Sequence, residues 1–124
     1  MGHFSSRPFR LEGGRCAIEL VLEGTIEGED SRKLVAQLRQ QVARVPTESG
    51  CCLLVDQREV ETATAEARRI LADEAGQPIY PRIALFGGTV FTRTLARFIL
   101  RASGQPDKAR FFASRSEAQA WLVT

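Results

Sequence analysis

The chain is predicted to be an α/β protein: a mixed five-stranded sheet flanked by four helices, in the order β-β-α-β-α-β-α-β-α. Three observations predict this. Two short runs, Cys51 to Val55 and Ile83 to Phe86, are apolar without alternation. That is the pattern of strands covered on both faces, as in parallel sheets flanked by helices. The segments that follow these runs switch to helical spacing. Near the start, Glu12-Gly13-Gly14-Arg15 separates two strand-like segments and reads as a hairpin turn. Strands alternating with helices after an antiparallel N-terminal hairpin imply right-handed parallel crossovers in the later part.

Each element has its own signal. His3 to Leu11 mixes Phe4, Phe9 and Leu11 with polar residues, as an edge strand does. Cys16 to Gly24 alternates, with Cys16, Ile18, Leu20 and Leu22 on one face and a mixed set on the other. Gly24 to Asp30 reads as a loop, whose Glu27, Glu29 and Asp30 suit the positive end of the helix that follows. Leu34, Val35, Leu38, Val42 and Val45 line one side of that helix, and Pro46 closes it before a Thr47 to Gly50 loop. The Cys51 strand ends in Asp56. Gln57 to Thr64 reads as a polar connection into a helix from about Thr64 to Ala75, with Ala67, Ile70 and Leu71 inward and Gly76 to Pro78 ending it.

The most informative stretch is PRIALFGGTVFTRTLARFILR, Pro81 to Arg101. Pro81 precedes a buried strand, where a missing N–H does little harm. Gly87 and Gly88 permit a sharp turn, and Thr89 can cap the next helix. Phe91, Leu95, Phe98, Ile99 and Ala102 then make one apolar face, and Arg93, Arg97 and Arg101 recur every fourth residue on another. Gly104 and Pro106 stop the helix. After the Gly104 to Lys108 turn, Ala109 to Phe112 reads as a last strand. Ser114-Arg115-Ser116-Glu117 has capping-box spacing and opens a short helix with Ala118, Trp121 and Leu122 inward.

A chain of 124 residues suffices for one domain with a core, spanning residues 1–124. The net charge, 17 − 15 = +2, is too small to argue for nucleic acid. Most of the seven phenylalanines lie in apolar runs that core packing accounts for. No stretch is apolar enough to span a bilayer, and the N-terminus lacks a signal-peptide centre. Three cysteines, Cys16, Cys51 and Cys52, without metal-ligand spacing argue against a disulfide framework or a zinc site. Cys51 and Cys52 should point to opposite faces as buried, reduced side chains, which fits a cytoplasmic setting.

For function, the strand ends are where ligands sit in open α/β sheets. Asp56, Thr62, Gly87, Gly88 and Thr89 form the candidate crevice for a small molecule or anion, although the glycine turn is neither a P-loop nor G-x-G-x-x-G. Asp56 also has a plainer role, pairing with an arginine such as Arg58. The row Arg93, Arg97 and Arg101 is the candidate surface for an acidic partner. No catalytic residue, metal or cofactor is indicated: the single histidine, His3, lies at the terminus.

The element order, the CCLLVD strand, the PRIALFGG–FTRTLARFILR unit and the closing RFFASRSEAQAWL together resemble the SpoIIAA-like branch of the STAS superfamily. The resemblance covers nearly the whole chain. It implies a sheet with helices packed on it and no enzymatic activity. STAS anti-anti-sigma factors bind a kinase partner and are phosphorylated on a serine in a D-S-x-G-like turn. The matching region here, Val60 to Ala65, has neither the Asp-Ser pair nor the glycine, and offers Thr62 and Thr64 as hydroxyls. Their plainer role is helix capping. The branch also resembles CRAL-TRIO carriers in topology, which implies an apolar ligand as an alternative. The expected function is a non-catalytic interaction module that binds a protein partner or itself. The alternative is a small-molecule, anion or lipid-binding domain.

Overall fold

The structure, a computed structural model, describes residues 2–45 and 50–124. Pro46 and residues 47–49 of the predicted Thr47 to Gly50 loop lie outside the described residues. The chain runs β1 (His3–Arg10), β2 (Cys16–Ile26), α1 (Gly28–Ala43), β3 (Cys52–Ala63), α2 (Ala65–Ala75), β4 (Ile83–Phe86), α3 (Val90–Ala102), a 3-10 turn (Pro106–Lys108), β5 (Ala109–Phe112) and α4 (Arg115–Leu122). The five strands lie in sequence order across one sheet. β1 and β2 pair antiparallel, while β2–β3, β3–β4 and β4–β5 pair parallel. The predicted mixed sheet with four helices is therefore what forms, and the two apolar strands lie side by side and point the same way.

This order fixes the layers. Three crossovers step in one direction along the sheet, so crossovers of one hand put their helices on one face. Leu34 and Leu38 of α1, Leu71 of α2 and Leu100 of α3 pack there on Ile18, Leu20, Leu53, Val55, Ile83 and Leu85. The alternate residues Ala17, Cys52, Leu54, Ala84 and Phe86 face the other way, onto Ala118 and Leu122 of α4. Unbroken apolar runs arise because β3 and β4 are covered on both sides.

The structure corrects the sequence reading in several places. β2 continues to Ile26, through what reads as a loop, and β3 continues to Ala63, through what reads as a polar connection. The two extensions pair with each other, Gly24 with Val60 and Ile26 with Ala63. Beyond Asp56, paired with Phe86, β4 has ended. The far half of β3 thus has a neighbour on one side only, which explains its polar composition. The edge strand expected from His3 does form: His3 opens β1 opposite Glu23.

The cysteines are a further correction. Ala17 stands beside Cys52 in the parallel register, which brings Cys16 beside Cys51. Those two form a disulfide, with Cα atoms 4.9 Å apart. Cys52, on the opposite face as expected, is a free buried thiol whose pKa burial pushes up.

Candidate functional site

Two features of α3 define the candidate site: which side it turns to the sheet, and what it leaves outside. Thr89 is the N-cap, its hydroxyl accepting from the Thr92 N–H at 3.1 Å. Thr92 Oγ1 donates to the Val60 carbonyl at 3.1 Å. Gly88, at φ +88°, lets the chain pass where a Cβ would stand 3.0 Å from the Thr92 methyl. These contacts set the rotation of the helix. Thr92 and Leu100 are buried, and Leu95, Ala96 and Ile99 are half-buried.

The large residues point outward instead. Val90 is 72% exposed, Phe91 59% and Phe98 65%. With Val123, these are the large apolar side chains that core packing leaves exposed among the described residues, and they contradict a core role for Phe91 and Phe98. Arg97 and Arg101 are exposed and Arg93 half-buried along the adjoining stripe. Arg97 lies over the Phe111 ring, 5.1 Å from its centroid. Among the described residues none of the three arginines forms a salt bridge.

The strand-end residues Asp56, Gly87, Gly88 and Thr89 do come together, but not around an open space. Asp56 accepts from the Arg58 N–H at 3.1 Å, from Nε at 3.0 Å and from Nη2 at 2.8 Å. This is the arginine pairing offered as its plainer role. The Arg58 stem fills the place beside Gly87, where an added Cβ would clash with it, and its guanidinium lies over Phe86 at 5.6 Å. Glu19 and Arg115 pair close by. Thr62 lies apart, within the far half of β3 beside Thr25. Thr64 is the N-cap of α2 and accepts from the Ala67 N–H at 3.2 Å, the capping role expected of it.

Burial alone would raise the Asp56 pKa, but its hydrogen bonds and charge pairing with Arg58 outweigh that and hold it low. A depressed carboxylate pKa stabilises the fold above the unfolded-state value, about 3.9, and the contribution disappears as pH falls through the folded-state pKa. Asp56→Asn is therefore expected to lower the melting temperature at pH 6 and to matter much less at pH 3. Thermal unfolding of both proteins at the two values checks this; an equal difference at both contradicts it.

Beneath α2 and α3, on the same sheet face, lies a cavity of about 110 Å³. Its walls are apolar except for Gln57, Glu74 and Thr92. Its lining includes the small side chains Thr92 and Ala96 of α3, with Ala63 of β3 and Ala75 of α2. Nothing in the sequence pattern marked it: most of its lining reads as ordinary core, and Ile26, Gln57, Val60 and Ala63 fall in stretches read as connections. Gln57 sits in the stretch read as a polar connection, yet it is 3% exposed.

The sheet order, with three helices on one face and a fourth on the other, makes this a SpoIIAA-like α/β protein. The chain belongs to the family described as a domain of unknown function, DUF7793, whose model matches residues 25–124. Its structure is similar to the crystal structure of an uncharacterised protein of the DUF3478 family with a SpoIIAA-like fold from Shewanella loihica PV-4. The two are 18% identical, with a TM-score of 0.74 over 98% of this chain and 95% of that one. No curated protein sequence matches the chain. The resemblance to the SpoIIAA-like branch is borne out at the level of fold. No helix among the described residues is long and apolar enough to cross a membrane.

Proposed function

We propose that this is a non-catalytic interaction module that docks a protein partner through the outer face of α3. The observation that carries it is the combination of exposed Val90, Phe91 and Phe98 with Arg93, Arg97 and Arg101 on one helix. Exposed aromatics beside a stripe of arginine match the residue types enriched at protein–protein interfaces. The charge selects the partner: an apolar socket with acidic side chains around it. Self-association through this face is disfavoured, because a two-fold contact would set arginine against arginine. A non-catalytic role also suits Asp56, since a carboxyl clamped by arginine and held low is poorly matched to proton transfer near neutral pH.

Anion binding at Gly87 and Gly88 ranks lower, because Arg58 and Thr92 occupy the space beside the turn. A phosphorylation switch at Thr62 or Thr64 keeps only the resemblance behind it. Cytoplasmic location stays a proposal too, and the Cys16–Cys51 bond weighs against a reducing compartment.

The test compares the wild-type chain with a Phe91→Ser/Phe98→Ser variant and an Arg93→Glu/Arg97→Glu/Arg101→Glu variant as bait in extracts of the native host. A protein held by the wild type and lost at least tenfold from both variants is the expected result. Equal capture by all three overturns the assignment of this face. Loss of binding to anionic vesicles with no protein partner affected would assign it to membranes instead.

A further inference from the structure

We propose that the cavity under α2 and α3 binds a small neutral ligand with an apolar ring and one hydrogen-bond donor, anchored on Gln57. The site is distinct from the outer face of α3 and from the strand-end crevice.

Three observations carry it. The first is size: an apolar void of roughly 150 Å³ stays dry and takes benzene, and this one measures about 110 Å³. It is also not sealed. Leu71 and Ala75 of α2 and Leu95, Ala96 and Ile99 of α3 are each partly exposed, so its mouth lies between those helices and a ring substituent can extend into it. The second is how its polar groups are used. Glu74 is occupied by Tyr80 Oη at 2.6 Å and Arg39 Nη2 at 3.0 Å. Thr92 is occupied by Val60 and Thr89. Gln57 differs: its Nε2 donates to the Gly87 carbonyl at 3.3 Å, and among the described residues nothing donates to its Oε1. Oε1 is not sealed off: it borders accessible space, where a water or a ligand's donor can meet it, in a side chain only 3% exposed overall. The third is packing. Cores ordinarily fill to crystal-like density, yet α3 keeps Phe91 and Phe98 outside while a void remains inside.

An anion is a poor occupant. The one ionisable side chain in the wall, Glu74, is itself acidic and already paired. The class that fits is a small cyclic alcohol, a phenol or an N–H heterocycle.

The experiment uses the full chain with labelled methyl groups, and two probes of one shape, phenol with a donor and benzene without. Nuclear Overhauser contacts from both probes to the methyls of Leu71, Leu95 and Ile99 are expected, with phenol binding about three- to tenfold tighter. Gln57→Met should erase that difference and leave benzene binding unchanged. Ala96→Leu, which fills the cavity, should abolish both while the melting temperature holds or rises; Ala75→Leu serves if the first variant does not fold. No probe contact to these methyls in the wild type overturns the site, as does undiminished binding in a folded filled variant. Equal affinity for the two probes overturns the role of Gln57.

Discussion

Reduction of the Cys16–Cys51 bond is expected to destabilise the protein by about 4 kcal/mol, from the loop-closure entropy of a cross-link spanning 35 residues. The loop contains all of α1, and the bond ties β2, and through it β1, to the centre of the sheet. The reduced unfolded chain regains the freedom that the cross-link removes. Urea unfolding with and without a phosphine reductant measures the difference. Cys16→Ala is the control: it abolishes the bond under both conditions, so reductant should no longer move its midpoint. Unfolded, non-reduced protein should titrate one thiol, Cys52. Three thiols, with a midpoint indifferent to reductant, would mean the two sulfurs are not joined.

The second large effect concerns Glu74 and Tyr80, 5% and 1% exposed. Tyr80 Oη donates to Glu74 Oε2 at 2.6 Å, and Arg39 reaches Oε1 at 3.0 Å from an exposed position. Burial, and then the bond to Glu74, push the Tyr80 pKa up, so the hydroxyl stays a donor throughout the working range. Glu74→Ala strands that hydroxyl in an apolar setting and should cost about 2–4 kcal/mol; Tyr80→Phe leaves a buried carboxylate oxygen short of its donor and should cost about 1.5–3 kcal/mol. Glu74→Leu combined with Tyr80→Phe removes both needs together, and is expected to cost clearly less than the sum of the single changes. Denaturant unfolding of the cycle checks this. Strict additivity would mean that the pair contributes nothing as a pair.

This pairing also shows what a sequence conceals. Glu74 stands near the end of an amphipathic helix among Asp73 and Arg69, and nothing local separates an exposed carboxylate from a buried one. Its partner Tyr80 comes six residues later, past the glycine that ends α2. The disulfide is hidden for a similar reason. An odd cysteine count and a separation of 35 residues look like buried thiols until the parallel register aligns Ala17 with Cys52.

For α3 the spacing was legible and the orientation was not. The sequence grouped Phe91, Leu95, Phe98, Ile99 and Ala102 on one face, but a helix wheel carries no mark of where the sheet lies. The Thr89 cap and the Thr92–Val60 hydrogen bond turn the small side to the sheet. That single choice exposes the phenylalanines, lines up the arginines beside them and leaves the cavity behind.

By itself, the sequence determined the order and type of the elements and the parallel pairing at the centre. Those depend on periodicity and turn chemistry, which are properties of neighbours along the chain. The tertiary structure alone decided how far β2 and β3 run, which cysteines meet, which way α3 faces and where space is left. Each of these depends on register and rotation between segments distant in sequence, and such relations have free energies that no local window contains.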